Sequence, residues 1–205
     1  MSTALTCKVC RRLGFSICGK EKCAYKRKPY PPGVHGRRPK GRRRTVSEYG
    51  VQLSEKQRVK FLYGMRERPF KNLVAKATTA KGVGAARRII ESLEGRLDNV
   101  VFRLKLAPSR AAARQLVGHG HILVDLKPVK IPSYQTKPGQ TIHIRTQSQS
   151  SLLFRDLDLR LKKYEPPAWL SLDKSKKEGR VLDRPKVDER ELGINLSAVI
   201  EFYSR

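Results

Sequence analysis

Acidic side chains are what this sequence has least of for its size. Eighteen Asp and Glu stand against 45 Lys and Arg in 205 residues, a formal net charge of +27. Self-repulsion on that scale weakens a compact free monomer and calls for a polyanionic partner. Long apolar runs are lacking too, and the N-terminus has no basic-then-apolar leader pattern, so neither a membrane span nor a secretory signal is expected. Aromatic residues make up 7% of the chain against 31% charged residues, which points to a surface built for contact. The paired-cysteine, paired-histidine spacing of a DNA-binding finger is missing. So is any carboxylate in a glycine-bounded catalytic loop. His119 and His121 could in principle carry acid-base chemistry, but capping or phosphate contact is the simpler role for them. These gaps disfavour a membrane protein, a finger-type transcription regulator and an enzyme. Length allows one or two domains, and no internal repeat is visible.

Four cysteines are present, all within the first 25 residues, as Cys7-x-x-Cys10 and Cys18-x4-Cys23. Close pairs chelate with little loop-closure cost, and four thiolates suit a closed tetrahedral structural site. Two disulfides are the alternative, disfavoured in a reducing compartment. Zinc is the default occupant, and an iron-sulfur cluster at the same four cysteines remains open. Catalytic zinc is disfavoured because four thiolates leave no open position for water. Lys8, Arg11, Arg12, Lys20, Lys22, Lys26 and Arg27 surround the pairs and would offset the thiolate charge.

Residues 26–47 read KRKPYPPGVHGRRPKGRRRTVS, with no acid and too much Pro and Gly for a regular element. This is a basic extended arm, expected to order on RNA, with Tyr30 as a stacking ring. Thr45 with Glu48 forms a candidate capping box, after which the pattern becomes helical, with Leu53, Phe61 and Leu62 on an inner face. Phe70, Leu73, Val74 and Ala77 mark a second helix, and Ile89, Ile90, Leu93 and Leu97 a third.

The densest signal is RLDNVVFRLKLAPSRAAARQLVGHGHILVDLKPVKI, residues 96–131. Leu97, Val100, Val101 and Leu104 recur at helical spacing, Pro108 breaks the run, and Ser109 is a good N-cap for a second helix. That helix buries Ala112, Ala113, Leu116 and Val117, turns Arg110 and Arg114 outward, and ends at Gly118 or Gly120. His121 to Val124 reads as a strand, and Thr141 to Arg145 alternates as another. Guanidinium groups on an exposed helix face, with His119 and His121 at its end, suit phosphates and unpaired bases. A short helix is expected from Leu153 to Tyr164.

The order Arg96-Leu97-Asp98, Ser109-Arg110, Ala113, Leu116, Gly120-His121-Ile122, Val124 resembles the small RNA-binding module named after ribosomal protein four. The family usually turns its hairpin on Asn-Gly; this chain has Asp125-Leu126-Lys127-Pro128, so the strands follow the pattern and the turn geometry does not. Beyond the module, Arg27-x-Pro29-Tyr30-Pro31-Pro32-Gly33-x-His35-Gly36 is similar to the family of bacterial small-subunit ribosomal protein four. So are Ser47-Glu48-Tyr49-Gly50-Val51-Gln52-Leu53-x-Glu55-Lys56-Gln57, Pro167-x-Trp169-Leu170-Ser171-Leu172-Asp173 and the final Glu201-Phe202-Tyr203-Ser204-Arg205. The cysteine pairs resemble those of its metal-bearing members. Leu196-Ser197-Ala198 departs from the family's Glu-Gln-Leu run.

The resemblance implies an α+β protein with an N-terminal metal knuckle and basic arm (1–47), a helical domain (48–95) and a small helix-pair plus antiparallel-strand RNA-binding module (96–160) inserted in it. The closing segment (161–205) would pack back on the helical domain. It implies a structural, non-enzymatic component of the small ribosomal subunit, cytoplasmic and without homo-oligomers. Such a protein binds small-subunit ribosomal RNA directly, nucleates assembly of the subunit body, faces ribosomal protein five near the messenger entry path, and contributes to translational accuracy. The residues expected to touch RNA are Arg27, Tyr30, His35, Arg42, Arg43, Arg44, Lys56, Arg58, Lys60, Arg96, Ser109, Arg110, Arg114, Gln115, His119, His121 and Lys127. The rival reading, an RNA-modifying enzyme carrying the same module, needs a separate catalytic domain for which this length leaves no room.

Overall fold

The computed structural model describes residues 7–19, 22–36, 46–80, 84–162 and 164–204. Two compact units divide the chain. The first comprises residues 1–86 with 188–205, and the second, residues 87–187, interrupts it.

In the first unit, α1 (Cys7–Leu13) and α2 (Ala24–Arg27) precede a 3-10 turn at Val34–Gly36, followed by α3 (Glu48–Leu62) and α4 (Glu67–Thr79). The N-cap of α3 is Ser47, whose hydroxyl accepts from the Gly50 N–H at 3.3 Å; Thr45 of the expected capping box lies outside the described residues. The buried face of α3 also differs from the expectation. Gln52, Lys56, Val59 and Tyr63 are buried, while Leu53, Phe61 and Leu62 are only partly so. An apolar-only reading misses this face because two of its members are polar. Phe61 and Leu62 instead pack on the cysteine cluster, so α3 is covered on two sides. On α4, Phe70, Val74 and Ala77 are buried as the spacing predicts.

The second unit opens with α5 (Ala85–Glu94, its first two residues belonging to the first unit), α6 (Leu97–Arg103) and α7 (Arg110–Gly118). Then come β1 (Ile122–Val124), β2 (Lys127–Pro128), β3 (Thr141–Ile144), α8 (Thr146–Gln149), a 3-10 turn at Leu152–Phe154, α9 (Leu157–Lys162), β4 (Leu170–Asp173) and β5 (Glu178–Val181). Ser109 caps α7, accepting from the Ala112 N–H at 3.2 Å, and Gly120 takes φ +77° just beyond the helix end. The sheet is antiparallel in the order β2-β1-β3-β5-β4. Its core joins Leu97, Val100, Val101 and Leu104 of α6 to Ala113, Leu116 and Val117 of α7, Ile122, Ile142, Ile144, Trp169 and Val181. A Cβ at Gly179 would overlap the Leu104 side chain, so this glycine lets β5 lie directly on α6. The β4-β5 hairpin therefore belongs to the second unit. The division falls at 187/188, beyond the 160/161 boundary expected from sequence.

The Asp125-Leu126 turn takes the primed geometry without glycine. Both residues have positive φ, +47° and +65°, and Val124 pairs with Lys127 across them. The Asp125 carboxylate accepts from the Thr141 N–H at 2.9 Å and from Gln140 Nε2 at 3.1 Å, which ties the turn to β3. Those bonds, the Thr141 N–H first, hold its carboxyl below the usual range. Leu126, 75% exposed, carries its Cβ in the left-handed region with little burial in return. Leu126→Gly is expected to stabilise the unit by about 0.5–1 kcal/mol, the left-handed penalty less glycine's extra chain entropy. The measurement is the urea midpoint read by Trp169, the chain's single tryptophan, and a lower midpoint would show the leucine holds the turn by contact.

The remaining elements, α10 (Glu189–Leu192) and α11 (Leu196–Ser204), return to the first unit, where α11 packs on α3 and α4. Lys56 Nζ lies 4.5 Å from the Phe202 ring and 2.7 Å from Glu67 Oε1. Tyr203 packs edge-on against Phe70, ring centroids 6.1 Å apart, and donates its hydroxyl to Glu67 at 2.8 Å. Burial would raise the Glu67 carboxyl, but hydrogen bonds from Lys56, Lys60 and Tyr203 outweigh it and hold the group at about 2.

Candidate metal centre and nucleic-acid interface

Helix α1 and the loop after it bring the cysteines together. The Cys7, Cys18 and Cys23 sulfurs lie within 4.8 Å of one another. Cys10, buried beside Cys23 and Ile17, belongs to the same cluster, and none of the four is in a disulfide. Burial pushes the Cys23 thiol up, yet bonds from the Ser16 hydroxyl, the Tyr25 backbone, Cys18 and Cys10 bring it down to about 7. A soft donor set already gathered, with one thiol near neutrality, fits a tetrahedral thiophilic metal.

Arg11 ties the start of the arm to this cluster. Its guanidinium donates to the carbonyls of Tyr30 at 3.0 Å and Pro31 at 3.1 Å and lies 4.7 Å from the Tyr30 ring centroid. Tyr30 is thus partly covered by the protein's own arginine. Arg27, in the last turn of α2, is exposed, as are Lys8, Arg12, Lys22, Lys26 and Lys28. His35 lies in the turn at Val34–Gly36; Arg42, Arg43 and Arg44 lie outside the described residues.

The α3 cations chosen from sequence point inward. Lys56 is 6% exposed; Lys60 pairs with Glu67 at 2.9 Å. Arg58 pairs with Glu55 at 2.8 Å, donates to the Gly193 carbonyl at 3.3 Å and lies over Phe15. All three were expected to touch RNA; in the folded chain they hold α3 to its neighbours. The exposed basic face lies instead on α4. Arg68, Lys71 and Lys76, with Asn72, are exposed on the side opposite Phe70 and Val74, and among the described residues these three cations have no ion-pair partner. The helical spacing of Arg68, Lys71, Asn72 and Ala75 could have revealed this face.

In the second unit Arg96 likewise has an intramolecular partner. It is 5% exposed, and its guanidinium is bidentate to Asp98, Nε to Oδ1 at 3.0 Å and a terminal nitrogen to Oδ2 at 2.7 Å. Arg110, expected to face outward, donates to Asn99 Oδ1 at 2.8 Å and lies 4.5 Å from the Phe102 ring centroid. Arg114 keeps 49% of its side chain exposed while reaching Asp98 at 3.3 Å. Ser109 serves as the cap, Gln115, His119 and Lys127 are exposed, and His121 is half-buried with Nδ1 2.9 Å from Ser148 Oγ. Two acids are buried among the described residues: Glu94 lies between Asn99 and Arg103, and Asp98 meets Arg96. The unmatched cations are left at the surface, where a polyanion can reach them.

A helix pair capped by serine, an antiparallel sheet and basic faces on separate elements define an S4-domain protein. Residues 95–142 match the S4 domain, and residues 2–94 match the family described as ribosomal protein S4/S9 N-terminal domain. The small ribosomal subunit protein uS4 of Chloroflexus aurantiacus is 46% identical over 200 residues, covering 97% of this chain and 96% of that protein. Those of Bacteroides fragilis (46% over 198 residues) and Roseiflexus castenholzii (44% over 200 residues) cover the same shares. The chain belongs to the uS4 family of small ribosomal subunit proteins. Members of that family are structural, non-enzymatic components of the ribosome in the cytoplasm. Among the described residues no helix is long and apolar enough to cross a membrane.

Proposed function

We propose that this protein binds small-subunit ribosomal RNA directly through several weak basic grips, which together fix the relative angle of RNA helices and nucleate assembly of the subunit body. The observation that carries this reading is the cationic surface: Arg68, Lys71 and Lys76 of α4, Lys8, Arg12, Lys22, Lys26, Arg27 and Lys28 around the cysteines, and Arg114 and Lys127 of the module are exposed, on a chain whose formal net charge is +27. Phosphate contacts of this kind supply affinity and orientation, and RNA shape supplies specificity. Neighbouring small-subunit proteins, ribosomal protein five among them, and messenger RNA near its entry path complete the set of partners, and contact there contributes to translational accuracy. Zinc held by Cys7, Cys10, Cys18 and Cys23 is the structural ion of the knuckle. An iron-sulfur cluster at the same thiolates is the second reading.

The Arg68→Ala/Lys71→Ala/Lys76→Ala variant is expected to bind small-subunit ribosomal RNA more weakly, with a log-log salt slope shallower by about one per lost phosphate contact. Filter binding of the full chain across a salt series measures this. An unchanged slope would remove α4 from the interface. Lys60→Ala, by comparison, should leave the slope nearly intact, because Lys60 already serves Glu67.

A further inference from the structure

Beside α7 an open cleft of about 100 Å3 is walled by Pro108, Ala112, Leu116 and Leu153, with Gln115, His119 and His121 at its edge. Its lining holds no carboxylate. The walls are carbon, and the rim carries one amide and two imidazoles whose ring centroids are 6.0 Å apart. His121 is held in place: Nδ1 meets Ser148 Oγ at 2.9 Å, and Phe154 stands edge-on to the ring at 6.5 Å. Leu153 is 56% exposed although it forms a wall.

Three arginines neighbour the lining residues in sequence, with Asp156 the one exposed acid beside them. Arg114 precedes Gln115, Arg155 follows the 3-10 turn that bears Leu153, and the Arg145 N–H bonds the His121 carbonyl at 2.8 Å. All three are exposed. An apolar slot lined in part by an amide and two imidazoles, with arginines at neighbouring positions of the chain, suits a ligand with a flat, uncharged body on an anionic backbone. Closed apolar cavities of about 150 Å3 admit a whole benzene ring; this cleft, at about 100 Å3 and open to solvent, takes the leading edge of one planar ring. The amide and imidazoles match what a nucleobase offers, a hydrogen-bonding edge and a stacking face.

We infer that this cleft receives a single unpaired nucleobase turned out of the bound RNA. The inference rests on the RNA-binding reading above and names what one part of that surface recognises. A phosphate needs charge at the contact point, and an apolar peptide anchor gains nothing from the surrounding arginines; a base uses both.

Ala112→Leu fills the slot, and His119→Ala removes an exposed ring without touching the core; Trp169 fluorescence melting verifies that both variants fold. Small-subunit ribosomal RNA bound to each protein is then probed with base-directed alkylating reagents and, separately, with hydroxyl radicals that report the backbone. With the wild-type chain at least one unpaired base should be protected, and in both variants that base should regain reactivity while the backbone footprint persists. Affinity should fall about tenfold, within the cost of removing one stacked base, at an unchanged salt slope. Base protection identical to wild type in both variants overturns the cleft assignment. So does a variant that keeps base protection yet fails to enter subunits, since the slot would then hold a protein segment. A wild-type chain with no RNA footprint at all overturns the RNA-binding reading itself, which separates the two failures.

Discussion

Replacing Asp98 with alanine is expected to destabilise the 87–187 unit by about 3–5 kcal/mol, the cost of stranding one partner of a buried ion pair. Asp98 and Arg96 side chains are 7% and 6% exposed, and the pair is bidentate. Arg96 sits at the N-cap of α6, its backbone carbonyl accepting from the Val100 N–H at 2.8 Å. Without Asp98 its guanidinium would remain buried at the start of α6 with its charge uncompensated, and the acidic group favourable to that helix N-terminus would also be gone. The change would release Arg114 from its 3.3 Å contact, so RNA affinity per folded molecule should hold or rise while stability falls. Urea unfolding read by Trp169, 4% exposed in this unit's core, isolates the effect from the first unit. The double variant Arg96→Met/Asp98→Leu should recover most of the loss, because two apolar groups need no partner. A drop under about 1 kcal/mol for Asp98→Ala, typical of exposed pairs, would show that water reaches the site.

Changing Cys18 to serine should abolish order in residues 7–36 rather than loosen it. Only Cys10, Ile17 and Cys23 are buried in that cluster among the described residues, and α1 and α2 have seven and four residues. Helices that short do not persist without outside support. In small thiolate knuckles the metal supplies about 10–16 kcal/mol that is in effect folding free energy. The variant should therefore lose about one equivalent of metal by elemental analysis, and amide exchange across residues 7–36 should approach the unfolded rate. Phe15, which lies 4.8 Å from the Arg58 guanidinium carbon, would leave α3 as well. Intact protection in the variant would mean that apolar contacts with Phe61 and Leu62 alone hold the segment.

Local signals were legible where one residue type enforces one geometry. Ser109 capped α7 as its position after Pro108 foretold, and Ile142 and Ile144 took the buried side of β3. The cysteine spacing foretold a gathered thiol cluster. The buried face of α3 was illegible because Gln52 and Lys56 become tolerable inside only when Glu48, Glu201, Glu67 and Phe202 meet them. Two of those partners lie some 150 residues away in sequence. The β4-β5 hairpin was missed for a related reason. Leu170 and Val181 gain their burial from the core cluster they share with the helix pair and β3, and Gly179 reads as a loop residue until Leu104 is placed against it.

The sequence by itself determined the partner class, the thiol site and the helix-pair module, because net charge, cysteine spacing and capping act over a few residues or over the whole chain at once. Which cations are free for RNA was decided only by tertiary structure. An arginine's reach is long, and whether it meets a carboxylate or solvent depends on segments distant in sequence. Arg96, Lys56 and Lys60 therefore hold the fold, and Arg68, Lys71 and Lys76 face outward.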